Sequence, residues 1–137
     1  MKRLIHIAIF ALMAITGCKK ESEPTLAQKL QTEWRGSEVS VDAAIYIKFL
    51  ADGKFELYQK MVGEGFELRR GTWTLNEDIL SGIYNDGETW AAEYQISINN
   101  GELTMISKAE GNETNVYTQC AIPQEVKRNC TVVVKSR

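Results

Sequence analysis

The chain of 137 residues carries 18 acidic and 16 basic residues, a net charge of −2, with 44% hydrophobic residues and a single histidine. Its composition supports a folded core but supplies no basic excess to hold a phosphate backbone, so nucleic acid is not an expected partner. Length and composition together suit one small domain.

The amino terminus decides the compartment. Met1-Lys2-Arg3 is basic, Leu4 to Thr16 is apolar, and Ile15-Thr16-Gly17-Cys18 closes the run with small residues before a cysteine. This apolar run falls short of the roughly 20 residues a membrane-spanning helix needs, so a secretory signal is expected over residues 1–17. Ile-Thr-Gly-Cys resembles the lipobox of bacterial lipoproteins, which implies cleavage after Gly17, diacylation of the Cys18 thiol and acylation of the new amino terminus. Two or three acyl chains, at about 0.8 kcal/mol per buried CH₂, would anchor the chain stably in a membrane. Residues 18–24 are polar, without apolar periodicity, and read as a tether. Lys19 directly after the cysteine resembles the sorting pattern of outer-membrane lipoproteins. The expected location is therefore the outer membrane of a bacterial envelope, facing the periplasm or the surface.

Processing also removes chemistry. His6 leaves with the signal, as do Lys2 and Arg3, so the 16 basic residues become 14 against 18 acidic ones, a net charge of −4. Ser-His-Asp and Cys-His catalysis and histidine metal sites are thereby excluded. The carboxylates show no pairing that would mark a glycosidase. Glu77-Asp78 and Asn85-Asp86-Gly87-Glu88 offer oxygens of the kind calcium takes, but without the alternating spacing of an EF-hand loop, and they read as turns. No catalytic residue, metal or cofactor is expected.

From Thr25 the pattern turns helical. Leu26, Leu30 and Trp34 are four apart on one face, Thr25 is the expected N-cap and Gly36 the expected stop, which predicts a short helix lying over one end of a sheet. Strands and turns follow. The turn signals are Asp52-Gly53, Gly63-Glu64-Gly65, Asn76-Glu77-Asp78, Asn85-Asp86-Gly87, Asn99-Asn100-Gly101 and Glu110-Gly111-Asn112, and each should join two paired strands. They bound seven strands, and Arg35 to Val41 adds an eighth if Asp42-Ala43 turns tightly. Eight strands in a meander favour closure, because closure alone removes the unpaired edges. The expected fold is an all-β, eight-stranded antiparallel up-and-down barrel behind a short helix, over residues 25–126 with a tail at 127–137. At this strand number the interior is either filled by side chains or just wide enough for one small ligand. Ile45, Ile47 and Phe49, then Phe55, Leu57 and Met61, then Trp90, Ala92, Tyr94, Ile96 and Ile98 should share the inward face. Lys48, Glu56, Lys60, Glu93 and Gln95 should take the outward one.

The opening helix and Trp34, YIKFLADGKFELYQ (Tyr46 to Gln59), GTWTL (Gly71 to Leu75), LSGIYNDGETWAAEY (Leu80 to Tyr94) and ELTM (Glu102 to Met105) together resemble the lipocalin-like domain of small bacterial lipoproteins. The resemblance implies a calyx-type barrel that binds a small apolar molecule. It departs from the true lipocalins at their opening Gly-x-Trp, since no glycine precedes Glu33-Trp34.

The candidate binding residues each have a structural alternative. Trp73, Trp90, Tyr94 and Phe49 are aromatic groups of the kind that wall small-molecule sites, and core packing explains them equally well. Arg69 and Arg70 stand beside Glu67 in a strand where Phe66, Leu68 and Arg70 share one face and Glu67, Arg69, Gly71 and Trp73 the other. One arginine must therefore point inward, and Arg70 is the candidate clamp for a ligand carboxylate, against a solvated ion-pair face as the alternative. Cys120 and Cys130 would form a disulfide in an oxidising envelope, stabilising by about 2–3 kcal/mol, or remain two free thiols. Ser81-Gly82-Ile83-Tyr84, with Asp86-Gly87 and Trp90 beyond, resembles the SGxxY-type loop of periplasmic lysozyme inhibitors, which implies a protein-binding lipoprotein. A filled barrel would instead serve as a structural or assembly partner for other envelope proteins.

Overall fold

The structure, a computed structural model, describes residues 23–37, 44–60 and 65–134. The expected signal, Cys18, most of the expected tether, Asp42-Ala43, Met61 and Gly63-Glu64 lie outside the described residues. Chain order is helix α1 (Leu26–Leu30), strands β1 (Glu33–Gly36), β2 (Ile45–Phe49), β3 (Lys54–Lys60), β4 (Phe66–Asn76), β5 (Ile79–Tyr84), β6 (Tyr94–Asn99), β7 (Glu102–Ser107) and β8 (Thr114–Gln119), then helix α2 (Gln124–Asn129) and the short β9 (Thr131–Val132). Each of β1 to β8 pairs antiparallel with its neighbours in sequence, and β1 pairs with β8 through Trp34 opposite Gln119, Arg35 opposite Thr118 and Gly36 opposite Tyr117. The expected eight-stranded up-and-down barrel is thus closed.

The two ends of the barrel differ. At one end β2–β3, β4–β5 and β6–β7 turn tightly, and the positive φ angles at Gly53, Glu77, Asn100 and Gly101 show the left-handed backbone such hairpins need. Helix α1 lies at this end and forms the floor. Thr25 caps it through a reciprocal box with Gln28, its hydroxyl accepting from the Gln28 amide at 3.1 Å while Gln28 accepts from the Thr25 amide at 2.8 Å. The helix stops at Leu30, so the expectation that Trp34 shares its apolar face is corrected: Trp34 belongs to β1, where strand pairing on both sides outweighs one more helical turn. The Leu30 carbonyl, at the helix end, accepts the Thr32 amide at 2.7 Å and the Trp34 indole N–H at 3.0 Å. Leu30, Trp34, Phe49, Phe55, Leu80 and Leu103 are fully buried together, so the floor is packed solid even without the lipocalin glycine before Glu33-Trp34.

The opposite end carries the longer connections. The wall between β5 and β6 is joined by only two residue pairs, Ile79 with Gln95 and Leu80 with Tyr94, close to the β4–β5 turn. Above them the chain after Tyr84 folds back on β5: Thr89 bridges Ile83, and the Trp90 amide donates to the Gly82 carbonyl at 2.9 Å. The strand expected to begin at Trp90 therefore begins at Tyr94, and Ala92 lines an outer cleft with Ser81 and Ile83 instead of the interior. Gly82 makes this possible, because a Cβ there would meet the Trp90 indole at 2.2 Å.

A second core lies outside the barrel. Tyr46, Tyr58 and Leu68 point outward from β2, β3 and β4, and Ile122 and Val126 of the carboxy-terminal segment cover them. Residue 126, the expected end of the domain, falls inside α2, and β9 continues by pairing parallel to the half of β4 that β5 does not reach. Glu33 fixes this strap to the barrel. Its carboxylate accepts from the Ile122 amide at 2.7 Å and from Lys127 at 3.1 Å, with Lys48 at 3.6 Å. Burial alone would raise the Glu33 pKa; those three partners outweigh it and hold the carboxyl below its ordinary value. Val126→Asp should lower the urea-unfolding free energy by about 2 kcal/mol or more, because a carboxylate would be buried or the helix released. An unchanged unfolding midpoint would show that α2 is not docked.

Candidate functional site

The expected ligand residues separate along the barrel axis. Phe49 and Trp73 belong to the floor, where their rings meet edge to face at 5.8 Å and the Trp73 indole N–H donates to the Leu50 carbonyl at 3.2 Å. Trp90 and Tyr94 stand at the open end, with ring centroids 6.1 Å apart. Arg70 belongs to neither group. Strand alternation turns it to the outer wall, exposed and 3.2 Å from Glu56, while Arg69 shares the inward face with Trp73 and lies 5.2 Å above the Tyr84 ring. The choice of Arg70 as an inward clamp is corrected by that register.

Above the packed floor the barrel opens into a pocket of about 240 Å³. Ile45, Ile47, Leu57 and Met105 form its aliphatic walls, and Trp90 closes the side where β5 and β6 part. Gly71 gives the room for this arrangement, since a Cβ there would meet the Ile83 carbonyl at 2.1 Å and the Phe55 ring at 2.8 Å. Phe55 in turn supports Trp90 at 5.3 Å and Tyr84 at 5.7 Å, both edge to face. The polar groups of the pocket are Gln59 and the phenols of Tyr84, Tyr94 and Tyr117. Tyr84 and Tyr117 were not among the ligand-binding candidates from sequence, where Tyr84 figured only in the SGxxY-type stretch. Inward alternation from Gly82 would have found Tyr84, whereas Tyr117 becomes visible only once β8 closes the barrel.

The three phenols share an environment. Burial is the main cause that raises all of them, pushing Tyr117 up to about 12, and the fields of Tyr94 and Tyr84 add to the Tyr117 shift. Arg69 opposes the rise at Tyr84 by its charge and a hydrogen bond. Among the described residues the hydroxyls of Tyr94 and Tyr117 have no hydrogen-bond partner.

Other expected groups are placed as follows. Cys120 is exposed and Cys130 partly buried, both free thiols, which corrects the disulfide expectation. Cys130 packs on the second core with its Sγ 3.5 Å from the Lys127 carbonyl, while Cys120 remains at the floor end of β8. Ser81 to Tyr84 form β5, with Gly82 under Trp90 and Tyr84 in the pocket wall, and so do not project as an inhibitory loop. No group of three or more His, Cys, Asp or Glu side chains among the described residues is placed to hold a metal ion.

Comparison with known proteins follows the same outline. A family model described as a lipocalin-like domain matches residues 21–105, from before α1 to Met105 in β7. The fold is similar to that of a protein from Bacteroides uniformis solved by NMR, with a TM-score of 0.56 and 18% identity, covering 68% of this chain and 90% of that one. At that identity the likeness is one of fold. No curated protein matches the sequence.

Raised phenol pKa values have a consequence for stability. The unfolded phenols ionise near 10, while the folded Tyr117 keeps its proton to about 12. Stability from this source is therefore complete below pH 10 and lost as pH rises from 10 toward 12. Tyrosinate absorbance should rise in two stages, the later one coinciding with loss of near-ultraviolet circular dichroism. A single wave near pH 10 in a still-folded protein would contradict the buried phenol cluster.

Proposed function

Because the chain belongs to the lipocalin-like domain family, we propose that it is a binding module, not an enzyme, that takes a small apolar molecule into the open end of its barrel. The observation that carries this reading is the pocket of about 240 Å³ above a solid floor. Such a space is far larger than one water needs, so it suits a compact ring system or the end of a short chain. Apolar walls with a few polar groups at one place are the usual make-up of a small-molecule site. The protein is held at the bacterial outer membrane by acyl chains on Cys18, a reading supported by the basic, apolar and Ile-Thr-Gly-Cys sequence of the signal.

Two experiments test the two halves of the proposal. Adding a small aromatic hydrocarbon to the purified protein should shift the Trp90 indole resonance saturably. Leu57→Phe combined with Met105→Phe, adding bulk from β3 and β7, should weaken that binding by at least about tenfold, some 1.4 kcal/mol, without unfolding the chain. An unresponsive Trp90, or full affinity in the double variant, would contradict a ligand in the barrel mouth. For the anchor, cells fed a clickable fatty acid should label the wild-type chain and leave Cys18→Ala unlabelled; equal labelling of both would remove the lipoprotein reading.

A further inference from the structure

We infer that the pocket, if it binds ligand as proposed above, selects uncharged molecules bearing one oxygen acceptor, such as a ketone, ester or alcohol, over the corresponding carboxylates. Three observations lead there. First, none of the residues lining the pocket is charged: its polar groups are a carboxamide, that of Gln59, and three phenols. An anion placed among Ile47, Leu57 and Met105 would lose its hydration and meet no counter-ion among the lining residues, which is the costliest kind of polar burial.

Second, the nearby cation is already engaged by Tyr84. The Arg69 guanidinium is not among the residues that line the pocket: it lies 5.2 Å over the Tyr84 ring, in a cleft it shares with Arg70, Asp86, Val133 and Val134, and its charge and hydrogen bond are directed to Tyr84. At Tyr94 the charged neighbour is Glu113, whose negative sign repels an anion. Arg70, the other arginine of the pair, is held on the outer wall by Glu56.

Third, the pocket offers hydrogen-bond donors that lack acceptors. Tyr94 and Tyr117 hydroxyls have no partner among the described residues, and their phenols stay protonated because burial penalises the anion. A carbonyl or hydroxyl oxygen on the ligand would satisfy such a donor at no cost in buried charge. A pure hydrocarbon would leave the donors unpaired, so the pocket distinguishes both against charge and in favour of a neutral acceptor.

The test uses three compounds of equal heavy-atom count and similar size, isopropylbenzene, acetophenone and benzoate, each titrated into the purified protein at neutral pH while the Trp90 indole resonance is followed. Acetophenone should bind about tenfold or more tightly than benzoate and about three- to tenfold more tightly than isopropylbenzene. Tyr117→Phe should remove that second advantage, bringing the ratio of acetophenone to isopropylbenzene affinity to about one. Tyr94→Phe serves as an independent variant should Tyr117→Phe fail to fold, with the same expected loss. Benzoate binding as tightly as acetophenone, or isopropylbenzene equalling acetophenone in the wild type, would overturn the inference while leaving the mouth as a binding site. Failure of all three compounds to shift Trp90 would overturn the ligand-binding reading beneath it.

Discussion

The seam between β1 and β8 is the constraint on which the rest depends. Among the described residues three pairs, Trp34 to Gly36 against Tyr117 to Gln119, join the first barrel strand to the last. Without them the sheet has two free edges and its inward face has no enclosed interior to fill. Trp34 occupies the seam and the floor together: its backbone pairs with both neighbouring strands, and its indole holds the end of α1. Tyr117, on the other side of the same seam, reaches the mouth. One short junction thus joins the packed half of the barrel to the open half.

Filling one end of a barrel while leaving the other open requires unequal side chains on a regular frame. The floor is filled by Trp34, Phe49, Phe55 and Trp73, which leave little room between them. Toward the mouth, β5 and β6 part, and a single tryptophan takes the place of wall. Gly71 and Gly82 are the positions where that trade is made, since each lies where a Cβ would strike backbone or an aromatic ring. Outside, the strap of α2 and β9 covers an apolar patch that a barrel alone would expose, and Glu33 pins it.

Much of this was legible in the sequence because hairpins announce themselves locally. Asp52-Gly53, Asn76 to Asp78 and Asn99 to Gly101 all join paired strands, with positive φ at Gly53, Asn100 and Gly101, where Gly or Asn tolerates it, and at Glu77. Misreadings came where local pattern and long-range pairing disagreed. Leu26, Leu30 and Trp34 are spaced as a helical stripe, yet pairing with β2 and β8 claims Trp34. Trp90, Ala92 and Tyr94 alternate as a strand, yet no turn residue marks the break between Trp90 and Tyr94. Strand alternation showed that one of Arg69 and Arg70 faces inward; which one depended on the register of Trp73, and the pattern read along the chain already put Arg69 on that side. The outer core was hidden because Tyr46, Tyr58 and Leu68 lie on the face that a solvated barrel would make polar, and only the docked Val126 explains them.

The central claim is that the barrel is solid at its floor and hollow at its mouth. Crystals of the protein pressurised with xenon test it directly, because xenon enters dry apolar cavities without needing any polar contact. The account predicts xenon in the pocket against Leu57 and Met105, and none around Phe49 and Trp73. Xenon absent from the mouth, or bound in the floor, would contradict it.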